Sequence, residues 1–447
     1  MLEEIGQIVT GKTPSSNVIG AFSSSGIPFV TPKDMDGRRW IETTERYLSE
    51  AGRQSLKNYL IPKDSVAVSC IGSDMGKAIL LKKDSVTNQQ INTIIVDASK
   101  HNPKYIYYVL SLKQEELKSI AGGSATPILN KGHFSKVVIE LPDKVDQDNI
   151  VQVLDSLDCK IELNNQINQN LESMAQAMFK SWFIDFDPVR AKIAAKQEGK
   201  DSELAAMCAI SGKSEAELEQ MAKEDFAELQ ATAALFPDEL VESELGEVPK
   251  GWEVTRFSNI VEKYIDNRGK TPPIQSEGIP LLEVKHLPEF SLNPDLNTDK
   301  KVSLETFNTW FRAHLQENDL IMSTVGTIGR LCIVPANRTL AIAQNILGLR
   351  FKLNKVNPLF MYYQMNSAKF RNDVDARLVI TVQSSIKRKD LETIDLLQPD
   401  INIQNIFAEK IKPFVLSQQS DESLKLINIR DALLPKLLSG EVEVENL

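Results

Sequence analysis

The sequence predicts a mixed α+β protein built from two similar halves, a pseudo-twofold repeat with two long helices. Three observations predict this fold class. Short motifs recur in one order, β-branched runs alternate with Gly and Pro turns, and two amphipathic segments carry heptad spacing. The chain has 447 residues, and at roughly 150 residues per domain this length allows about three structural units.

The internal repeat is the strongest signal. The motif Gly-Lys-Thr-Pro at 11–14 recurs at 269–272, and Gly-Ile-Pro at 26–28 recurs at 278–280. Further matches follow in the same order: 64–72 matches 319–326, Gly76-Lys77 matches Gly329-Arg330, and Gln89 matches Gln344. All offsets lie between 252 and 258 residues. Such ordered matches at nearly one spacing indicate a diverged tandem repeat.

Within each half, short runs predict strands, and proline-initiated apolar patches predict helices. The predicted strands include 65–69, 93–96 and 331–334, and the predicted helical patches are 103–119 and 358–371. Each half then closes with a strand-like apolar run into proline, at 137–142 and 394–399. Each half is therefore expected to be a mixed α and β domain.

Long amphipathic segments follow both closing runs. Apolar residues three and four apart predict a helix over 148–183, about 54 Å long at ~1.5 Å per residue. This helix needs a partner, which the segment from Ile403 to Leu438 supplies, with Pro413 and Pro435 expected to bend or interrupt it. Asn164 is a candidate for fixing the register. An ordinary bundle core predicts the same packing without a spacing role, and periodicity leaves both possibilities open.

The charge is distributed unevenly. Net charge is -10, but the segment 196–248 holds four Lys and no Arg against 14 Asp and Glu, so the rest of the chain is neutral. Small basic groups occur in that neutral part, at Arg38-Arg39, Lys82-Lys83 and Lys387-Arg388-Lys389, with single cations such as Lys131 beside glycines. They could contact phosphates, although any one of them could equally be a solvated surface charge.

Several classes of protein are excluded or disfavoured. No apolar run approaches the ~18 residues of a membrane span, and the N-terminus lacks signal-peptide features, so we expect a cytoplasmic protein without membrane contact. The cysteines are Cys70, Cys159, Cys208 and Cys332, which stand at least 49 residues apart with no C-x-x-C pair. Neither a zinc site nor a disulfide framework is therefore indicated, and buried free thiols are expected. No cofactor loop or catalytic motif is complete, so we assign no catalytic and no metal-binding residue.

Four segments carry a resemblance to a known family: Phe-Lys-Ser-Trp-Phe-Ile-Asp-Phe-Asp-Pro-Val-Arg at 179–190, Leu-Phe-Pro-Asp at 235–238, Leu-Gly-Glu-Val-Pro-Lys-Gly-Trp at 245–252, and Leu-Leu-Pro-Lys-Leu-Leu-Ser-Gly-Glu at 433–441. With the repeat, these segments resemble the DNA sequence-specificity subunit of type I restriction-modification systems. The resemblance spans nearly the whole chain.

The resemblance implies two target recognition domains separated by two long antiparallel conserved helices. Each domain would read one half of a bipartite site on double-stranded DNA, and the helices would set the spacing. The helices would also dock two modification subunits, which bring S-adenosylmethionine and methylate adenine. Restriction/translocase subunits would use ATP and Mg. This chain would hold no cofactor and perform no catalysis.

The resemblance and the repeat together define the expected domains. These are a first recognition domain at 1–144, a first spacer helix at 145–190, an acidic connector with a short helix pair at 191–248, a second recognition domain at 249–400, a second spacer helix at 401–440 and a tail at 441–447. The counterpart of Trp252-Glu253-Val254 is missing before Leu2, so the first domain is expected to lack an edge element.

Polar and basic residues on Gly- and Pro-punctuated loops are the candidate DNA readers, because Arg, Lys, Asn and Gln contact base edges and Lys, Ser and Thr contact phosphates. The candidates in the first half are Lys12, Thr13, Lys33, Ser73, Lys77, Gln89 and Gln90. Those in the second half are Lys270, Thr271, Lys285, Thr327, Arg330, Gln344 and Arg377. For each residue, a purely structural role in a turn is the competing interpretation.

Two other functions compete with this interpretation. A helical scaffold or adaptor would bind protein through its two halves instead of DNA, and salt-sensitive DNA binding would distinguish the two. An autonomous DNA enzyme would be active without partner subunits, and the incomplete catalytic motifs disfavour it.

Overall fold

The structure is a computed structural model that describes residues 1–72, 74–120, 128–267, 269–289, 291–379, 383–418 and 422–444. The chain divides into two compact units. Unit 1 comprises Met1–Asn164 with Glu422–Leu447, and unit 2 comprises Asn165–Asp421. Unit 1 is thus built from both ends of the sequence.

Unit 1 contains two sheets. Their strands are β1 (Gly6–Thr10), β2 (Phe22–Ser23), β3 (Ile27–Val30), β4 (Trp40–Ile41), β5 (Tyr47–Leu48), β6 (Val66–Ser69), β7 (Ala78–Leu81), β8 (Val86–Thr87) and β9 (Ile91–Val96). One sheet has the order β1-β9-β6-β7-β4 and the other the order β2-β5-β3-β8. The helices are α1 (Glu50–Ser55), α2 (Pro103–Leu112), α3 (Gln114–Ile120), α4 (Lys131–Ser135) and α5 (Lys144–Phe183), which continues into unit 2.

The connector at the start of unit 2 is mainly helical. It contains α6 (Asp187–Gln197), α7 (Ser202–Ser211), α8 (Glu215–Leu218) and α9 (Lys223–Ala234), followed by a hairpin of β10 (Leu240–Ser243) and β11 (Gly246–Pro249). Helices α7, α8 and α9 bury a small core of their own, which includes Met207, Leu218 and Leu229. The prediction of a short helix pair was therefore too simple, because a helix as short as 215–218 carries little periodic signal.

The second recognition half repeats the order of the first. Its strands are β12 (Glu253–Arg256), β13 (Val261–Ile265), β14 (Ile279–Leu282), β15 (Lys301–Val302), β16 (Leu320–Ser323), β17 (Leu331–Ile333), β18 (Ala341–Ile342), β19 (Ile346–Phe351) and β20 (Asp395–Gln398). Its helices are α10 (Phe257–Ile260), α11 (Leu304–Trp310), α12 (Pro358–Asn366), α13 (Ala368–Asp375), α14 (Arg388–Leu391), α15 (Ile401–Gln418) and, returning to unit 1, α16 (Glu422–Leu438). The sheets have the orders β13-β19-β16-β17, β15-β14-β18 and β12-β20. This repetition confirms the predicted fold class of two similar mixed α and β domains.

The two halves differ at one edge in the described residues. In unit 2, β12 pairs antiparallel with β20, and Phe257 N donates to Ile394 O at 2.8 Å. In unit 1, Leu2 N makes the matching bond to Val137 O at 3.0 Å, but the segment 138–141 forms no ladder with any described residue. The first half therefore lacks the edge pair in the described part of the chain, and Val138 is 64% exposed.

The long helices pair antiparallel within each unit. In unit 1, Arg430 of α16 binds Asp158 of α5 at 2.9 Å, and Asn164 Nδ2 donates to Glu422 at 3.1 Å. In unit 2, Gln418 of α15 donates to Asn168 O and Glu172 Oε2, each at 3.4 Å. The predicted heptad helix begins four residues earlier than expected, at Lys144.

Neither proline ends a helix, so the expectation that they could interrupt it was wrong. Pro413 lies inside α15 and Pro435 lies inside α16. Each proline frees only the carbonyl four residues earlier, on Glu409 or Asp431. Both of those residues are exposed, so water can satisfy the freed carbonyls.

A buried glutamine joins each recognition half to its long helix. Gln147 accepts from Asn102 N at 2.9 Å and donates to Pro142 O at 2.9 Å. Gln404 accepts from Asn357 N at 3.0 Å and donates to Pro399 O at 2.9 Å. Both glutamines are fully buried, so each of them satisfies backbone groups that would otherwise be left unpaired. This repeated link was absent from the sequence-based predictions.

Unit 1 stabilises its part of α5 with charge. Arg39 is 7% exposed and contacts three carboxylates of α5, at 2.6 Å to Asp155, 3.3 Å to Asp158 and 3.1 Å to Glu162. Arg39 Nη1 also donates to Tyr108 Oη at 3.0 Å. Burial opposes the charge on Arg39, but the surrounding anionic groups outweigh it, so the net pKa of its guanidinium is raised. The suggestion that Arg39 contacts phosphate was therefore wrong.

Unit 2 stabilises its part of α5 with aromatic packing instead. Phe179, Trp182 and Phe183 of α5 lie within 5.4–6.2 Å, ring centre to ring centre, of Phe407 in α15. Trp182 also packs edge-on against Phe236 at 5.3 Å. These rings belong to the largest buried cluster of unit 2, so the segment that most resembles the specificity-subunit family is part of a core.

The remaining expectations concern cysteines, metals and membranes. All four cysteines are free; Cys70 and Cys332 are buried, but Cys159 is exposed and Cys208 is partly exposed, which corrects the expectation for those two. Burial raises the pKa of Cys70 to about 11. The described residues contain no cluster of three or more metal-ligating side chains. No helix in the described segments is long and apolar enough to cross a membrane.

Candidate nucleic-acid interface

In unit 1, four loops meet at one end of the sheets. Strands β1 and β6 run antiparallel to β9, so both end where β9 begins, and β3 runs parallel to β8, which ends just before β9. The described residues of 11–21, 31–35, 70–77 and 88–90 form what we call the first loop cluster. All the described first-half candidate residues lie in this cluster.

Four of those candidates contact other residues in or beside the cluster. Thr13 Oγ1 donates to Gln89 Oε1 at 2.6 Å, which links the loops after β1 and β8. Lys12 is exposed, with its Nζ 5.2 Å from the centre of the Tyr59 ring. Gln90 N and Gln90 Oε1 both bond to the Asn88 side chain, so Gln90 mainly organises the turn. Gln89 and Lys12 are exposed and are therefore the candidates better placed to contact DNA.

The other first-half candidates flank these residues. Lys33 is exposed on the short turn after β3. Lys77 Nζ lies 3.0 Å from Asp74, an exposed pair of the kind that stabilises by only ~0–1 kcal/mol, so exchange of Asp74 for a phosphate costs little. Ser73 lies outside the described residues.

The same strand ends form the second loop cluster in unit 2. It consists of the described residues of 266–278, 283–286, 324–330 and 343–345. Thr271, Lys285 and Gln344 line one cleft of about 330 Å³ within this cluster. Lys270 is exposed beside Gly269, whose φ of +71° is accessible to glycine at no steric cost.

The electrostatics beside the cleft favour the neutral form of His286. A hydrogen bond from Lys300 lowers the pKa of Glu283, and the two groups lie 2.6 Å apart. Burial, followed by the charge of Lys285, lowers the pKa of His286, whose Nδ1 accepts from Glu283 N at 2.9 Å. Lys285 lies 3.7 Å from Glu283, and its side chain is 66% exposed, so it presents a positive charge at this edge.

A buried serine shapes the loop after the central strand in both units. Ser323 Oγ donates to Thr327 O at 2.6 Å and accepts from Arg330 N at 2.9 Å. Ser69 makes the same two bonds, to Asp74 O and from Lys77 N. The repeated Gly-cation motif thus lies in a similarly hydrogen-bonded loop in both units, and Thr327 is exposed in the second of these loops.

Two second-half candidates are committed to protein contacts. Arg330 donates to Leu287 O at 3.2 Å, and its Nε is buried without a hydrogen-bond partner among the described residues. Arg377 donates to Asp373 O at 2.7 Å and to Thr393 Oγ1 at 3.1 Å, beside α13. The structure therefore does not place Arg377 on the second loop cluster.

A further segment joins each loop cluster, and the sequence analysis missed both segments. Ser385 forms a bridge with Val325, and Gly326 N donates to Ser384 O at 3.1 Å. In unit 1, Ile128 forms a bridge with Ile71, and Leu129 N donates to Cys70 O at 3.0 Å. Ile128 and Ser385 are separated by 257 residues, which lies within the range of offsets of the repeat. This offset could have indicated the two equivalent segments, but their residue types differ.

Repeated mixed domains with polar loop clusters at equivalent strand ends define a modular recognition protein. The chain matches the profile of the family described as Type I restriction modification DNA specificity domain over residues 1–173 and 249–426. It therefore belongs to this family, and the predicted family resemblance is confirmed. The function of a DNA specificity subunit is supported over that of a helical scaffold.

Known relatives agree with this family assignment. The chain is 28% identical to the type I restriction enzyme HindI specificity subunit of Haemophilus influenzae, over 96% of this chain and 97% of that one. It is 26% identical to the MjaIX specificity subunit of Methanocaldococcus jannaschii, over 100% and 93% of the two chains. The fold is similar to the crystal structure of a type I restriction-modification S subunit from M. genitalium, with a TM-score of 0.53, 14% identity and coverage of 98% and 94%.

Proposed function

We propose that this chain reads a bipartite double-stranded DNA sequence, with each loop cluster contacting one half-site. One observation carries the proposal: both units present polar and basic side chains on loops at the same strand ends. Side chains such as Gln89 and Gln344 have the donor and acceptor pair that reads adenine in the major groove. Exposed Lys12 and Lys270 supply contacts suited to phosphate.

The chain acts in this proposal as a non-catalytic subunit in the cytoplasm. Two modification subunits supply S-adenosylmethionine and adenine methylation, and restriction/translocase subunits supply ATP- and Mg-dependent cleavage. The absence of a complete catalytic motif in the sequence supports a recognition role for this chain. The paired helices act as the spacer, because continuous α-helix converts residue number into length at ~1.5 Å per residue.

A genome-wide adenine methylation map tests the proposal. Cells expressing the modification subunit are compared with and without this chain. We expect a new methylated motif of two half-sites with a fixed gap, which also measures the spacing set by the helices. A stable complex that produces no new motif, or a motif with one half-site only, contradicts the proposal.

Single-residue changes in the loop clusters should affect one half-site at a time. Gln89→Ala is expected to weaken only the half read by unit 1, and Gln344→Ala only the half read by unit 2. Each should cost ~1–3 kcal/mol of discrimination if the amide contacts a base. Binding competition against duplexes with one half-site replaced measures this effect, and each variant serves as the control for the other. Equal loss at both half-sites would contradict the assignment.

A further inference from the structure

The starts of α4 and α14, together with the residue before α14, carry basic residues to the edge of the loop clusters. In unit 2, Ile386 N donates to Thr324 O at 3.0 Å, so the next residue, Lys387, begins beside the second loop cluster. Lys387 and Lys389 are both exposed. No described carboxylate lies within ion-pair distance of either ammonium group.

Arg388 anchors this segment between the two lysines. Its guanidinium carbon lies 3.9 Å from the centre of the Tyr264 ring, on the strand β13 that leads into the second loop cluster. Its Nε also binds Glu392 at 2.8 Å. A stacked and ion-paired arginine loses little further freedom on binding, so it holds the segment while the neighbouring lysines face solvent. Asp390 lies in the same turn of α14.

Unit 1 places a cation at the corresponding point. Leu129 N donates to Cys70 O, and Asn130 accepts from His133 N at 2.9 Å, which caps α4. Lys131 follows at an offset of 257 from Arg388 and is exposed. The position beside the loop cluster is therefore basic in both units, although the anchoring tyrosine occurs only in unit 2.

We propose that these residues form a backbone-contact strip in each unit, Lys131 in unit 1 and Lys387 with Lys389 in unit 2, that binds the DNA phosphates flanking the half-site of that unit. Lysine is a point charge that suits a phosphate oxygen and carries no base code of its own. The strip thus supplies affinity and register, and the loop clusters supply sequence discrimination. This inference rests on the proposed DNA-reading function.

Salt dependence provides the test, since each phosphate neutralised contributes about -0.9 to the slope of log affinity against log salt concentration. The probe is a mixed-sequence duplex of about 40 base pairs, titrated between about 50 and 200 mM KCl with the full chain bound to its modification subunits. For Lys387→Gln/Lys389→Gln, the slope should become shallower by ~1.8, and for Lys131→Gln by ~0.9. The methylated motif should stay the same.

The matched control is Lys213→Gln/Lys223→Gln, which removes the same charge from exposed positions in the acidic connector. This control should leave the slope unchanged. If a strip variant shows the same salt-dependence slope as the control variant, the inference is overturned and the proposed function is unaffected. A strip variant that changes the methylated motif also overturns it, because the lysines would then read bases. If the unmodified complex shows no salt-sensitive DNA binding, the proposed function itself fails.

Discussion

Replacing Arg39 with alanine is expected to destabilise unit 1 by about 3–5 kcal/mol, because the change removes the guanidinium that pairs with buried carboxylates. Asp158 is as buried as Arg39 itself, and Asp155 is mostly buried. Arg430 and Lys104 retain one contact each to these carboxylates, at 2.9 Å and 2.6 Å, and compensate only in part. Hydrogen exchange of unit 1 peptides in denaturant measures the loss.

The neighbouring residue provides the control. Arg38 pairs with Asp36 at 2.9 Å, and both side chains are about half exposed. Arg38→Ala should therefore change stability by only ~0–1 kcal/mol. Equal effects of the two substitutions, or protection lost in unit 2 instead of unit 1, would show that the Arg39 network does not stabilise unit 1.

The same network should make unit 1 sensitive to acid. Burial opposes ionisation of Asp155, but hydrogen bonds and charge from Lys104 and Arg39 outweigh it, so its pKa is lowered from 3.8. A lowered folded-state pKa gives stability that is present above the unfolded pKa and lost as the pH falls through the folded value. This contribution should therefore decline below about pH 4 in the unmodified chain and be diminished in Arg39→Ala.

Phe407→Ala is expected to destabilise unit 2 by about 3–5 kcal/mol through a cavity among aromatic rings. Phe407 is fully buried and contacts rings of α5 and α12, including Phe179 and Tyr363, both at 5.7 Å. Phe407→Leu should cost less, since leucine fills part of the same volume. Denaturant unfolding monitored by hydrogen exchange of unit 2 peptides measures both changes.

Leu416 offers a matched control on the same helix. It is 59% exposed, so Leu416→Ala should stay within about 0.5 kcal/mol. If Phe407→Ala had no larger effect than Leu416→Ala, α15 would not depend on the aromatic cluster. A loss confined to unit 1 would equally contradict the packing described here.

The loop clusters were predictable in part. The repeat aligned Thr13 with Thr271 and Gln89 with Gln344, and in the structure these residues lie on loops at equivalent strand ends. Arg377 was misplaced, because sequence cannot tell that its guanidinium turns to Asp373 and Thr393. Arg39 was misjudged for a similar reason: its carboxylate partners Asp155, Asp158 and Glu162 lie more than 100 residues away in the chain.

The sequence by itself determined the repeat, the long amphipathic helices and the family. These features are local or periodic, and periodicity and motif order survive in a linear string. Only the tertiary structure decided that unit 1 includes α16, that Gln147 and Gln404 fasten each recognition half to its helix, and that charge stabilises α5 in unit 1 where aromatic rings do so in unit 2. The physical reason is that burial and pairing depend on contacts between distant segments, which no local pattern encodes.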